Sequence, residues 1–395
     1  MAVLKRLLCL VALTMVVNAS QAMRRPANYK SPSRIHEVEV EKRTAKGKAS
    51  IGYFANWAIY SDFTPADVEP EHLTHILYSF GDTDQFNGTI YLSDPWADEQ
   101  ILFPGDPEDE PGNNMYGNLK QLYLLKLKQR NLKLLLSLGG WTYSQSGHFD
   151  FVVDPAARAN FIASAVQIVE DYGFDGIDLD YEALTNEEQG QGFALLIQDL
   201  RTAFDKLARK KKDKTPYLVT AATGAGSNEF LNLTALNQGL DYFNLMAYDF
   251  SGEWSEVTDN LANLYGGERS GVSGDGAIQQ YLEKGVPAHK ITLGMPIYGR
   301  SFLNTDGIGS PYDGIGSGEN NYNSLPPTNA QIYENFTDVT SYSYDNVTRE
   351  LISYDTPGIV KKKASYINKQ GLGGAMFWEA IRKEQIHLSP TAQKC

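Results

Sequence analysis

Eight short apolar runs separated by helical patterns predict a parallel (β/α)8 TIM barrel for this chain of 395 residues, with a small inserted α+β subdomain after the seventh strand. Three observations carry that reading. The runs recur along residues 50–378 with amphipathic segments between most of them. The stretch 176–182 is inside out: at a strand's period of two, Gly176, Asp178, Asp180 and Glu182 share one face, and Ile177, Leu179 and Tyr181 share the other. One connection, about 303–350, is too long for a structureless loop and carries alternating segments such as Thr340 to Tyr344.

In chain order the strands are expected at 50–54, 75–79, 133–138, 176–182, 217–222, 242–246, 291–297 and 374–378. Helices are expected near 117–130, 155–172, 192–211, 276–285 and 357–370. The chain stops soon after the eighth strand, so the last helix is expected to be short or missing. In a barrel of this kind the functional site lies at the carboxyl ends of the strands, where Asp180 and Glu182 fall.

The start of the chain reads as a secretory signal: Lys5-Arg6, an apolar run from Leu7 to Val17, and small residues that fit cleavage after Ala22. Residues 23–43 read as a pro-segment ending at the dibasic Lys42-Arg43, which leaves a (β/α)8 domain over 44–395 that is expected to be secreted and monomeric. Residues 1–43 hold eight Lys/Arg and three Glu, so their removal takes the formal charge from −13 to −18. That balance argues against nucleic acid and anionic membranes as partners. The basic run 209–212 ends an expected helix, where cations complement the dipole. Cysteine occurs only at Cys9, inside the signal, and at Cys395, so the mature chain is expected to lack an internal disulfide. Sequons stand at Asn87, Asn232, Asn335 and Asn346.

The acidic face of 176–182 sets the chemistry. Three carboxylates side by side in a dry interior are prohibitively costly, so that face must border a wet or ligand-filled cavity. Charges this close resist joint ionisation, so at least one carboxyl should hold a proton near neutral pH. A proton donor beside anions points to acid/base work. A solvated sheet edge and a hard-cation site are the alternatives. The unbroken apolar reverse face disfavours the first, and the lack of further oxygen or His ligands at loop spacing disfavours the second.

Four ordered motifs stand at Ser137 to Gly140 (SLGG), Asp175 to Glu182 (DGIDLDYE), Asn244 to Phe250 (NLMAYDF) and Met376 to Glu379 (MFWE). Taken together, they resemble the family 18 glycoside hydrolases, the chitinases, and among them the single-domain secreted fungal type. Residues 181, 183 and 184 depart from the family pattern, being Tyr, Ala and Leu where relatives usually show Trp, Tyr and Pro. The resemblance implies a chitinase acting on chitin and chitooligosaccharides without metal or organic cofactor. Glu182 would protonate the glycosidic oxygen while the substrate's 2-acetamido oxygen attacks the anomeric carbon, a substrate-assisted route. Asp180 would orient the acetamido N–H, Asp178 would share a proton with Asp180, and Tyr248 and Asp249 would hydrogen-bond the acetamido group. Trp378 would form the floor under the sugar being cleaved, Trp141 would line the leaving side, and Trp57 would hold a more distant sugar. Met246 and Arg300 are further expected substrate contacts; Tyr298 and Arg300 stand after the seventh strand, where a pocket wall is expected, and Trp254, like Trp57, is either a sugar platform or a core residue. Asp175, Gly176, Ser137, Gly139 and Gly140 would serve the framework. An endo-N-acetylglucosaminidase acting on N-glycans and a chitin-binding lectin on the same barrel are the rival readings.

Overall fold

The computed structural model describes residues 47–109, 111–112 and 114–380. The expected signal peptide (1–22) and pro-segment (23–43), with Cys9 and Cys395 and the stretch after the eighth barrel strand, lie outside the described residues.

Strands β1 (Ala49–Ala55) and β2 (His75–Thr83) open the barrel, and β3 (Ile90–Leu92) folds back antiparallel on β2. Strand β4 (Lys133–Gly139) pairs in parallel with β2, and β5 (Gly176–Asp180), β6 (Leu218–Gly224), β7 (Tyr242–Met246) and β8 (Ile291–Pro296) follow, each parallel to the one before. After β8 the chain makes an antiparallel sheet from β9 (Tyr298–Phe302), β10 (Glu319–Asn321), β11 (Gln331–Asn335), β12 (Thr340–Asp345) and β13 (Glu350–Ser353), in the spatial order β10-β9-β13-β12-β11. The helical part of this insertion is a single 3-10 turn, Tyr322–Ser324. Strand β14 (Gly374–Ala380) then pairs with both β8 and β1 and closes an eight-stranded parallel barrel.

The helices are α1 (Gly117–Lys128), α2 (Trp141–Gln145), α3 (Pro155–Tyr172), α4 (Glu187–Lys211), α5 (Leu233–Leu236), α6 (Gly274–Glu283) and α7 (Pro357–Gln370). Their ends follow local chemistry. Asp154 caps α3 by accepting from the Ala156 N–H, Pro155 takes the first helical position, and Gly173 closes the helix in the left-handed region at φ 70°. The helix expected from 192 begins instead at Glu187, because Asn186 accepts from the Gln189 N–H one turn before the apolar face starts. Between β1 and β2 there are only 3-10 turns, Asn56–Ser61, Pro65–Asp67 and Pro70–His72, since Pro65 and Pro70 remove the donors that a continuous helix needs.

The alternation of β5 decides which layer each residue serves. Ile177 and Leu179 are fully buried in the large core that includes Phe193, Ile197, Leu200 and Phe204 of α4. Complete burial of each such side chain stabilises by about 1.5–3 kcal/mol. The barrel's interior is plugged by a smaller cluster of Ile51, Tyr53, Leu77, Leu135 and Met376. Among the described residues no helix is long and apolar enough to cross a membrane.

The helix after the insertion is pinned by a buried ion pair. Lys363 on α7 donates to the Asp355 carboxylate and, at 2.6 Å, to the Ala262 carbonyl, with both charged residues 2% exposed. Burial raises the Asp355 carboxyl, and the Lys363 charge opposes that rise. Replacing Lys363 by Met should therefore destabilise the fold by about 3–5 kcal/mol at neutral pH, because an unpaired carboxylate stays buried. With its cation gone, the folded-state pKa of Asp355 climbs further above its unfolded value, so the deficit should shrink as pH falls towards the ordinary carboxyl range. Thermal unfolding of both proteins at two pH values checks this, and an equal deficit at both would refute it.

Candidate active site

At the middle of the barrel, adjacent strands place polar side chains at the same height. The register sets Ser137 beside Asp178, Asp178 beside Thr220, and Asn244 beside Thr292. Asp178 is fully buried, and its carboxylate accepts from Tyr53 Oη at 2.9 Å, Ser137 Oγ at 2.7 Å, Asn244 Nδ2 at 3.1 Å and Thr220 Oγ1. Thr292 Oγ1 in turn donates to Asn244 Oδ1 at 2.8 Å and fixes that amide. Burial raises the Asp178 carboxyl, while the four donors pull it back down.

One strand repeat further up, Asp180 has no such shell. It is 4% exposed, and its Oδ1 is buried without a hydrogen-bond partner. Burial first, then the charges of Glu182 and Asp178, raise its carboxyl well above the usual range. Strand β5 ends at Asp180, so Glu182 lies just beyond it at the barrel mouth. Its backbone N–H donates to Ser144 Oγ at 3.0 Å, and that hydroxyl donates to the Asp180 carbonyl at 3.2 Å. Helix α2 therefore holds the peptide that carries Glu182. Burial, then the Asp249 charge, pushes the Glu182 carboxyl up to about 7. Across the barrel, burial and the charges of Asp180 and Glu182 keep the Tyr248 phenol protonated.

Around these groups lies a cleft with two lobes of about 760 and 750 Å³, which share Glu182, Met246, Tyr248, Asp249 and Trp254. Trp378 lines the first lobe, held by the edge of Tyr53 at 5.2 Å and by Phe80 at 5.7 Å. Trp141 lines the same lobe and is 63% exposed. It starts α2 because Gly139 and Gly140 turn the chain sharply, with φ 111° and 85°. A Cβ on Gly139 would stand 2.4 Å from the Asp180 carbonyl oxygen, so that position takes only glycine. Asp249 accepts from Tyr298 Oη at 2.7 Å and from Arg300 Nε and Nη2 at 3.0 and 2.9 Å. Through these bonds the insertion's first strand grips the loop after β7, and Arg300 also reaches Glu319 on β10 at 3.1 Å. Trp57 is absent from the lining of both lobes and packs 6.0 Å from Phe80, which does line one.

Asp175 faces the outside of the barrel. Its carboxylate accepts from the Leu134 N–H at 2.8 Å and pairs with Lys126 and Lys133. Next to it, Gly176 lets strands β5 and β6 approach, since a Cβ there would meet the Leu218 carbonyl at 2.0 Å. Tyr181 also faces outward, stacked on Phe149 at 4.5 Å, and Leu184 is buried in the main core. The departures from the family pattern at 181 and 184 therefore fall on helix packing. Sequence reasoning missed Tyr53, Thr220 and Thr292, and gave Asn244 no role. The signal was there: each is a polar residue at an inward position of an otherwise apolar strand. Phe80 and Glu319 in the cleft carried no local signal. Among the described residues no group of His, Cys, Asp or Glu is arranged to hold a metal ion.

Comparison with known proteins agrees with this geometry. The profile of the glycosyl hydrolases family 18 matches residues 49–382. The chain is 45% identical over 359 residues to endochitinase 1 of Metarhizium robertsii, covering 88% of this chain and 84% of that relative. Among solved structures, a chitinase from Bacillus thuringiensis superposes with a TM-score of 0.76 at 30% identity, covering 85% of this chain and 66% of that one. A chitinase-like agglutinin from Robinia pseudoacacia shares the barrel, with a TM-score of 0.74 at 24% identity over 87% of this chain and 98% of its own. With a profile match across most of its length and a relative this similar, the chain belongs to glycosyl hydrolase family 18.

Proposed function

We propose that this protein is a secreted chitinase that hydrolyses β-1,4-linked N-acetylglucosamine polymers with retention, using the substrate's own acetamido group as nucleophile. The observation that carries this reading is the pairing of a protonatable Glu182 with the unpartnered Oδ1 of Asp180, in a cleft lined by Trp378. Glu182 donates its proton to the leaving glycosidic oxygen as the acetamido oxygen bonds to the anomeric carbon, giving a bicyclic oxazolinium ion. Water, deprotonated by the Glu182 carboxylate, then attacks the same carbon and restores the acetamido group. Asp180 Oδ1 accepts the acetamido N–H and stabilises the positive charge that develops. The Tyr248 hydroxyl donates to the acetamido oxygen and aims it. Asp178 is engaged by four donors and serves as the fixed base of the row. Asp249 has both oxygens engaged by Arg300 and Tyr298, and its charge keeps Glu182 protonated.

A lectin needs no acid at this position, so the agglutinin's shared fold does not decide the matter, whereas an intact Glu182 favours the enzyme. A two-lobed cleft with three tryptophans on its lining favours a polymer over the core of an N-glycan.

Glu182→Gln should preserve folding and oligomer binding while lowering turnover of chitotetraose by a factor of about 10² or more. Turnover within a few-fold of wild type would remove Glu182 as the acid. The pH profile gives a second check. Because Glu182 acts protonated and titrates at about 7, kcat/KM should fall as pH rises through that value, and the limb belongs to the coupled Glu182 and Asp180 cluster. An alkaline limb near the ordinary carboxyl value would contradict the assignment.

A further inference from the structure

We propose that the outer face of the insertion carries a second, non-catalytic sugar site that takes a short stretch of the same neutral N-acetylglucosamine polymer; the choice of sugar rests on the chitinase reading. A groove of about 610 Å³ lies there, separate from the catalytic cleft. Tyr322 and Tyr354 meet in it edge to face at 6.2 Å, and Pro326, Pro357 and Ile332 complete an apolar lining. Ile332 belongs to β11, the free edge of the sheet, where all five residues are exposed. Rings and prolines of this kind match the C–H face of a pyranose.

Polar groups give the groove its chemistry. Tyr354 is 3% exposed, yet its hydroxyl is buried and has no hydrogen-bond partner. A phenylalanine would fill the same space, so packing alone gives no reason for the hydroxyl, and an unpaired buried donor is costly. A sugar hydroxyl or acetamido oxygen supplies the missing acceptor. Glu334, which accepts from Thr356 Oγ1, puts a carboxylate on the rim. With that charge and a formal −13 on the chain, phosphorylated, sulfated or otherwise anionic ligands are repelled and a neutral saccharide is admitted. The site is also tied to the catalytic cleft. Tyr322 directly follows β10, whose Glu319 lines the cleft, and Tyr354 directly follows Ser353, the register partner of Arg300 on β9. A polymer chain gripped on the outer face is thereby kept beside the enzyme that cuts it.

The test titrates chitotriose into the full chain carrying Glu182→Gln, which keeps the cleft intact without turnover. Two classes of site are expected. Adding Tyr354→Phe should weaken the second by about fivefold, as the loss of one hydrogen bond does, and Ile332→Glu at the exposed rim should remove it, with the cleft site unchanged. In the otherwise wild-type chain, the same two substitutions should leave kcat/KM on soluble chitotetraose unaltered and reduce adsorption to insoluble chitin. A single class of site, or a second class indifferent to both substitutions, would overturn the proposal. So would a groove that takes a proline-rich peptide and not the sugar. Absence of chitotetraose cleavage by the wild-type chain would instead count against the chitinase reading and leaves the groove to be judged by the titration alone.

Discussion

The constraint on which the barrel's interior depends is the cost of burying Asp178 and Asp180 on the inward face of one strand. An ionised carboxylate taken out of water without partners is among the most expensive groups a fold can contain. For Asp178 the answer comes from four other strands, through Tyr53 on β1, Ser137 on β4, Thr220 on β6 and Asn244 on β7. Only a closed barrel brings side chains from strands so far apart in sequence to one carboxylate. Asp180, one repeat higher, is left with an open oxygen, and Glu182 stands at the mouth. The row thus runs from a satisfied carboxyl to an unsatisfied one and then to one that holds a proton to about neutrality.

Loops and insertion are built around that row. Gly139 and Gly140 turn the chain after β4 so that α2 can present Trp141 to the cleft and Ser144 to the Glu182 backbone. The Arg300 fork on the insertion's first strand fixes Asp249, and the Asp249 charge is the second cause of the elevated Glu182 carboxyl. Sheet and loop are therefore joined by the Arg300–Asp249 ion pair, and the Asp249 charge in turn acts on the acid. In the proposed chemistry, the buried donors position groups before substrate arrives, so little reorganisation remains for the reaction itself.

Barrel strands and most helices could be read from hydrophobic periodicity, because a parallel barrel buries continuous apolar runs and separates them with amphipathic helices. The acidic row was legible for the opposite reason, since three carboxylates on an inward face break that pattern. Less legible was what depends on register between distant strands. That Tyr53 and Asn244 both reach Asp178 follows from strand pairing, which no local window contains. The connection between β1 and β2, where the periodicity predicts no helix, is built from short turns that begin at Pro65 and Pro70. Trp57 shows the same limit: its place at the end of β1 was readable, but its packing against Phe80 and outside the cleft lining depends on β2.

The most direct measurement concerns where the nucleophile resides. In the proposed chemistry, partially deacetylated chitosan offers both acetylated and free-amine sugars to the position above Trp378, and only the acetylated one would carry the attacking oxygen. Sequencing the fragments released by the enzyme should find an N-acetylated sugar at every new reducing end, with either sugar on the far side of the cut. A substantial fraction of new reducing ends bearing glucosamine would contradict substrate-assisted attack and place the nucleophile on a protein carboxylate or an activated water.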